Sequence, residues 1–264
     1  MKKIWVGTSW KMNKTGETAQ DWANAVSTSV KNCNAGVQPF VIPPFPYITN
    51  VVSHFSDTKM KVGAQNMCWQ DEGAFTGEVS PVMLKDCGAT LVEIGHSERR
   101  GLFGESDKTV NQKVRAALKH GLTPLVCVGD SADEKQWGVS IESVVRQVKI
   151  ALFQVPLAQV SQVIIAYEPI WAIGENGTPA TNEEAEGVHQ AIREALSRQY
   201  GEPIAQDMTL LYGGSVNLDN ASELLDQPNI DGVFVGRTAW QASGYLELLS
   251  IAQSKANSTV KEPC

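Results

Sequence analysis

Short runs of apolar, β-branched residues recur along this chain, separated by longer stretches whose apolar positions return every three or four residues. The runs predict strands at Ile4–Thr8, Phe40–Ile42, Lys61–Gln65, Leu91–Gly95, Thr123–Val128, Val163–Tyr167, Thr209–Tyr212 and Gly232–Val235. Several are apolar at nearly consecutive positions, the pattern of parallel strands covered on both faces. The intervening stretches predict helices. Between Asp107 and Leu118, Val110, Val114, Ala117 and Leu118 draw one face, and Gly121 follows as a stop. Ile141, Val144, Val145, Val148 and Leu152 draw another, and Trp22, Val26 and Val30 a third. Thr181 and Glu184 have the spacing of a capping box ahead of Ala185, Val188, Ile192 and Leu196.

Strict alternation of eight strands with about eight helices predicts an α/β fold with a parallel sheet. Eight units in about 250 residues suit a closed (β/α)8 barrel better than an open sheet. No Pro/Gly/Ser-rich linker divides residues 1–264, so a single domain is expected, with a polar, frayed tail from Ser254 onward.

Composition narrows the function. A 42% apolar share supports a sizeable core, and a net charge of −7 argues against a nucleic-acid partner. The five cysteines form no CxxC pair, so reduced thiols are expected. The N-terminal apolar stretch is too short for a signal-peptide core and no run approaches a membrane span, which predicts a cytoplasmic protein without a membrane partner. His54, His96, His120 and His189 show no metal-ligand spacing, and no GxGxxG follows the first strand. Neither a metal nor a cofactor is expected.

In such a barrel the reacting groups gather where strands end. Lys11, just past the first strand, is either a surface lysine lying on Trp10 or a fixed positive charge for an anionic substrate. His96 follows the fourth strand, as a core histidine or an electrophile, and Ser97, Glu98 and Arg99 beside it suggest a polar cluster. Glu168 follows the sixth strand between apolar neighbours, either ion-paired or partly desolvated and thereby raised in pKa as a base. The stretch from Ala172 to Thr181 reads as a mobile lid or as a long βα loop. Gly213-Gly214-Ser215 and Gly236-Arg237, after the last two strands, expose backbone amides that could cradle a phosphate.

Taken in order, Trp10-Lys11-Met12-Asn13, Ala74-Phe75-Thr76-Gly77-Glu78, Gly95-His96-Ser97-Glu98-Arg99-Arg100, Ala166-Tyr167-Glu168-Pro169-Ile170-Trp171-Ala172-Ile173-Gly174 and Tyr212-Gly213-Gly214-Ser215-Val216 resemble the triosephosphate isomerase family over almost the whole chain. The resemblance implies Glu168 as the proton-moving base, neutral His96 as the group polarising the carbonyl, and Lys11 as positive charge, with Glu98 supporting the cluster. It also implies that Gly174, Gly214, Ser215 and Gly236 hold the phosphate of a small sugar phosphate. A homodimer is implied too, formed through the loop from Gln65 to Glu78, with Thr76 reaching into the neighbouring subunit. In that loop, Met67, Trp69 and Phe75 read as too apolar for water.

Three positions depart from the family pattern. Ser9 stands where asparagine is usual, Arg237 where a second glycine is usual, and the lid sequence Gly174–Pro179 is one residue longer. These features resemble the branch that converts L-erythrulose 1-phosphate to D-erythrulose 4-phosphate, with Ser9 making room for the extra hydroxymethyl group and Arg237 bracing the phosphate or the lid. An ordinary triosephosphate isomerase and a non-catalytic barrel binding phosphometabolites are the competing readings.

Overall fold

The computed structural model describes residues 2–173 and 179–259. Eight parallel strands, β1 Ile4–Ser9, β2 Val37–Ile42, β3 Lys61–Ala64, β4 Leu91–Ile94, β5 Thr123–Val128, β6 Ile164–Tyr167, β7 Thr209–Tyr212 and β8 Gly232–Val235, close in sequence order into one barrel. Helices return the chain between them, giving a single-domain TIM barrel. The seam is sealed by pairing of β1 with β8, from Trp5 against Gly232 to Thr8 against Val235.

Seven strands fall within a residue of their predicted positions. β2 starts three residues early, at Val37, because Gln38 and Pro39 break the apolar run while still pairing with β1. The helix Asp107–Lys119 turns Val110, Val114, Ala117 and Leu118 inward as its spacing predicts. The Thr181–Glu184 box forms reciprocally, the Thr181 amide donating to Glu184 Oε2 and the Glu184 amide to Thr181 Oγ1. The last helix, Ala242–Thr259, continues through Ser254, and Ala256 is buried, so the first part of the expected frayed tail is helical.

Two apolar layers hold the barrel. Outward-facing strand residues such as Val6, Val41, Val92 and Ile165 pack against the helices. Inward-facing residues, among them Phe40, Leu91, Leu125, Ile164, Leu211 and Phe234, fill the interior, with Phe40 and Phe234 stacked at 5.6 Å. The interior is thus solid below and leaves space only at the C-terminal mouth. Among the described residues no helix is long and apolar enough to cross a membrane, and Cys33, Cys68, Cys87 and Cys127 are free thiols.

Candidate active site

A cavity of about 400 Å³ opens at that mouth. Ser9 and Lys11 enter it from β1, His96 and Glu98 from β4, Glu168 from β6, Gly213 to Asn217 from β7, and Gly236, Arg237 and Thr238 from β8. Its volume lies within the range of small-molecule sites.

His96 is aimed by the turn before it. Gly95 has φ +75°, a left-handed conformation, and a Cβ there would lie 2.9 Å from Val110 Cγ2. His96 then caps the helix Ser97–Leu102, its Nδ1 accepting the Glu98 backbone N–H at 3.1 Å. A ring nitrogen that accepts carries no hydrogen, so the hydrogen sits on Nε2. That Nε2 lies 3.4 Å from Glu168 Oε1, and both side chains are buried.

Lys11 adopts φ 51°, which is costly for a residue with a side chain. Gln65 secures this turn by donating to the carbonyls of Lys11 and Ile42. The ammonium reaches Glu98 Oε1 at 2.7 Å. Burial pushes the Glu98 carboxyl up, but the hydrogen bond and charge of Lys11, with His96 nearby, outweigh it and hold it below its ordinary value.

Glu168 is fixed from three sides. Its amide donates to Val128 O at 2.7 Å, and Gly213 N donates to Tyr167 O at 2.8 Å. A Cβ on Gly213 would come within 2.9 Å of Glu168 Cγ, so glycine gives the carboxylate its place. The Cys127 thiol, hydrogen-bonded to Glu168, is pushed well up by burial and then by the charges of Glu168 and Glu93. Below, buried Asp130 accepts from Tyr167 OH at 2.9 Å, Trp171 Nε1 at 3.0 Å and Ser140 OH at 2.6 Å, anchoring both flanks of Glu168.

Next to Glu168, the loops after β7 and β8 are tied together. Thr238 OH donates to Val216 O, and Asn220 Nδ2 donates to Ser215 O. Gly214, Ser215, Gly236 and Arg237 all line the cavity on this side. Among the described residues, Arg237 pairs with no carboxylate. Gly174, and the part of the expected lid from 174 to 178, lies outside the described residues.

The sequence reading passed over Glu93. It sits within β4 between Val92 and Ile94, is only 2% exposed and accepts the Ser9 hydroxyl hydrogen at 2.8 Å. Burial raises its pKa from 4.5 to about 7, Glu168 adding to the rise while His96, Ser9 and Lys11 oppose it. The signal that could have found it was a carboxylate inside an otherwise apolar strand. Glu93, His96 and Glu168 bring one ligand-type atom each to within 4.8 Å of one another. Spacing along the chain could not reveal that set. It fits a metal ion poorly, because His96 Nδ1 is occupied by the Glu98 amide and Nε2 carries the hydrogen.

The loop from Gln65 to Glu78 corrects one expectation. Met67 is fully buried within its own subunit and Trp69 half-buried, so of the three apolar residues only Phe75 is exposed. The tip from Glu72 to Glu78, including Thr76, stands in solvent.

Comparison with known proteins gives concordant matches. The triosephosphate isomerase family model matches residues 4–252. A protein of Mesorhizobium japonicum, named L-erythrulose-1-phosphate isomerase, is 49% identical over 251 residues, 95% of this chain and 97% of its own. Proteins of the same name from Rhizobium meliloti and Brucella abortus are 48% and 46% identical, covering 93% and 97% of this chain and 95% and 98% of theirs.

Proposed function

We propose, given that this chain belongs to the triosephosphate isomerase family, that it converts L-erythrulose 1-phosphate to D-erythrulose 4-phosphate. The chain is an isomerase of small sugar phosphates; the four-carbon substrate is the finer step. It is supported by the names of relatives at 46–49% identity. The observation that carries the chemistry is the buried carboxylate of Glu168 set 3.4 Å from the Nε2 of His96 at the edge of one cavity.

L-Erythrulose 1-phosphate carries its carbonyl at C2 and an H and an OH at C3. Glu168 removes the C3 hydrogen as a proton, and the electron pair left behind forms the C2–C3 double bond while negative charge develops on O2. His96, through Nε2–H, and the Lys11 ammonium stabilise that oxygen. His96 passes a proton between O2 and O3, and Glu168 returns its proton to C2, leaving the carbonyl at C3. Glu98 takes no part in bond making. Its hydrogen bonds to Lys11 and through its amide to His96 hold both donors in place.

The phosphate lies against Gly214, Ser215 and Gly236 with Arg237 as its charged partner. Ser9 lines the cavity at the end of β1, beside the loop after β8. The protein acts in the cytoplasm as a homodimer through the loop from Gln65 to Glu78. Exposed Met12, Phe75, Leu102 and Phe103 at this end of the barrel support an interface.

Coupled assays with L-erythrulose 1-phosphate and glyceraldehyde 3-phosphate test the reading. The four-carbon substrate is expected to have the higher kcat/KM; a preference for the triose phosphate by orders of magnitude would sink it. Glu168→Ala should lower kcat by about a thousandfold or more while leaving the melting transition nearly in place. Undiminished turnover in that variant would remove Glu168 from the mechanism.

A further inference from the structure

Glu93 has no part in the proton transfers above, yet the barrel carries the cost of burying it. Its side chain points into an interior otherwise made of residues such as Phe40, Leu91 and Leu125, where an uncompensated carboxylate is expensive and a valine would serve the fold better. Among the described residues, its hydrogen bond comes from the Ser9 hydroxyl, at 2.8 Å. Ser9 lines the cavity; Glu93 does not. The two residues lie on β1 and β4, three strands apart around an eight-stranded ring, so their bond spans the barrel beneath the site.

We propose that Glu93 and Ser9 form the subsite that recognises the hydroxymethyl end of the substrate, with Glu93 acting as a positioning residue behind Ser9. This rests on the four-carbon reading given above.

A serine hydroxyl has one hydrogen to give and two lone pairs. Glu93 in its carboxylate form takes that hydrogen, so Ser9 Oγ then meets the cavity only as an acceptor. The Ser9 carbonyl is itself held by Trp240 Nε1–H at 2.9 Å, which fixes the backbone from which Oγ projects. An acceptor on this side selects a substrate group with a hydrogen to donate, a hydroxyl, and offers nothing to a carbonyl oxygen. The donors the carbonyl needs are elsewhere, on His96 Nε2 and Lys11. The site therefore sorts the two ends of a short polyol by hydrogen-bond polarity. Negative charge on Glu93 strengthens Ser9 as an acceptor, since polarised hydrogen bonds reinforce one another in a low dielectric. The same charge disfavours a phosphate dianion in direct contact with Ser9 Oγ. Substrate and product are both four-carbon ketose phosphates with a hydroxymethyl group at the end away from the phosphate, so one subsite serves both directions.

The test is kcat/KM for L-erythrulose 1-phosphate and for glyceraldehyde 3-phosphate in wild type, Glu93→Leu, Glu93→Gln and Ser9→Ala. Loss of the pair in Glu93→Leu or Ser9→Ala should lower the four-carbon value by about tenfold to a hundredfold, mainly through KM, and the three-carbon value by no more than about threefold. Glu93→Gln keeps a carbonyl oxygen to accept the Ser9 hydrogen and should recover part of the four-carbon value. Equal losses on both substrates would overturn the assignment and leave Glu93 a structural residue. Ser9→Ala, a small change at a strand end, decides the matter should Glu93→Leu fail to fold. A wild-type enzyme inactive on the four-carbon substrate is a different failure: it overturns the functional reading, and the subsite with it.

Discussion

Glu93 is the residue at which folding and function pull apart. Its carboxyl titrates near 7 in the folded protein against 4.5 ordinarily, burial being the main cause. Below about pH 4.5 it is protonated whether the chain is folded or unfolded, and its titration costs nothing. As pH rises toward 7 only the unfolded chain ionises, so stability falls. Above pH 7 the full cost stands, roughly 3 kcal/mol for such a shift. Glu93→Leu is therefore expected to be more stable than wild type at pH 8, with an advantage that shrinks toward pH 4.5. Urea unfolding at the two pH values measures it, and an advantage independent of pH would contradict the buried-carboxylate account. The sequence displayed this residue openly between Val92 and Ile94, but a strand read for its apolar average hides a single charge. Glu168, His96 and Lys11 were legible for the opposite reason. They stand just past strand ends, where a polar residue has no structural excuse to be expected in the core.

At the scale of elements, the sixth strand and the segment after it hang on Asp130. This one carboxylate, fully buried after β5, accepts hydrogen bonds from Tyr167 on β6, Trp171 beyond Glu168, and Ser140 at the start of the helix Ser140–Ala151. Lys135 lies over the Trp171 ring at 3.2 Å and presses it from outside. Asp130→Ala would strand three donors and is expected to cost about 3 kcal/mol of stability. It should also depress kcat, because Glu168 sits between two of those donors. Asp130→Asn retains an acceptor oxygen and should lose less than half as much. Urea titrations set beside turnover decide it, and equal losses in both variants would show that the hydrogen bonds are not what matters. None of this could be read from the chain alone, since Asp130, Ser140, Tyr167 and Trp171 belong to separate segments whose meeting depends on barrel closure. Periodicity gave the four longer helices named from their apolar faces and most strands because burial repeats locally. β2 escaped at its start because Pro39 interrupts the run without interrupting the pairing.

For the molecule as a whole, the proposed dimer rests on apolar groups that one subunit leaves in water. Met12, after β1, is 96% exposed and Leu102, at the end of the helix after β4, 75%, and Phe75 projects from the loop after β3. Since Lys11 adjoins Met12 and shares its strained turn, an interface there would support the ammonium indirectly. Phe75→Glu is expected to shift the protein to monomer in sedimentation velocity and to lower kcat by about tenfold or more. A variant that stays dimeric would place the interface elsewhere.

The sealing of β1 against β8 has a further consequence, for the order in which the protein is made. Of the eight strands, β1, with Ser9, leaves the ribosome first, and β8, with Trp240 soon after it, leaves last. Until those late residues emerge, the nascent chain exposes the unpaired margins of an open sheet, and the Ser9 carbonyl lacks its indole partner. Catalytic competence therefore arrives in one late step of translation, when the ring closes.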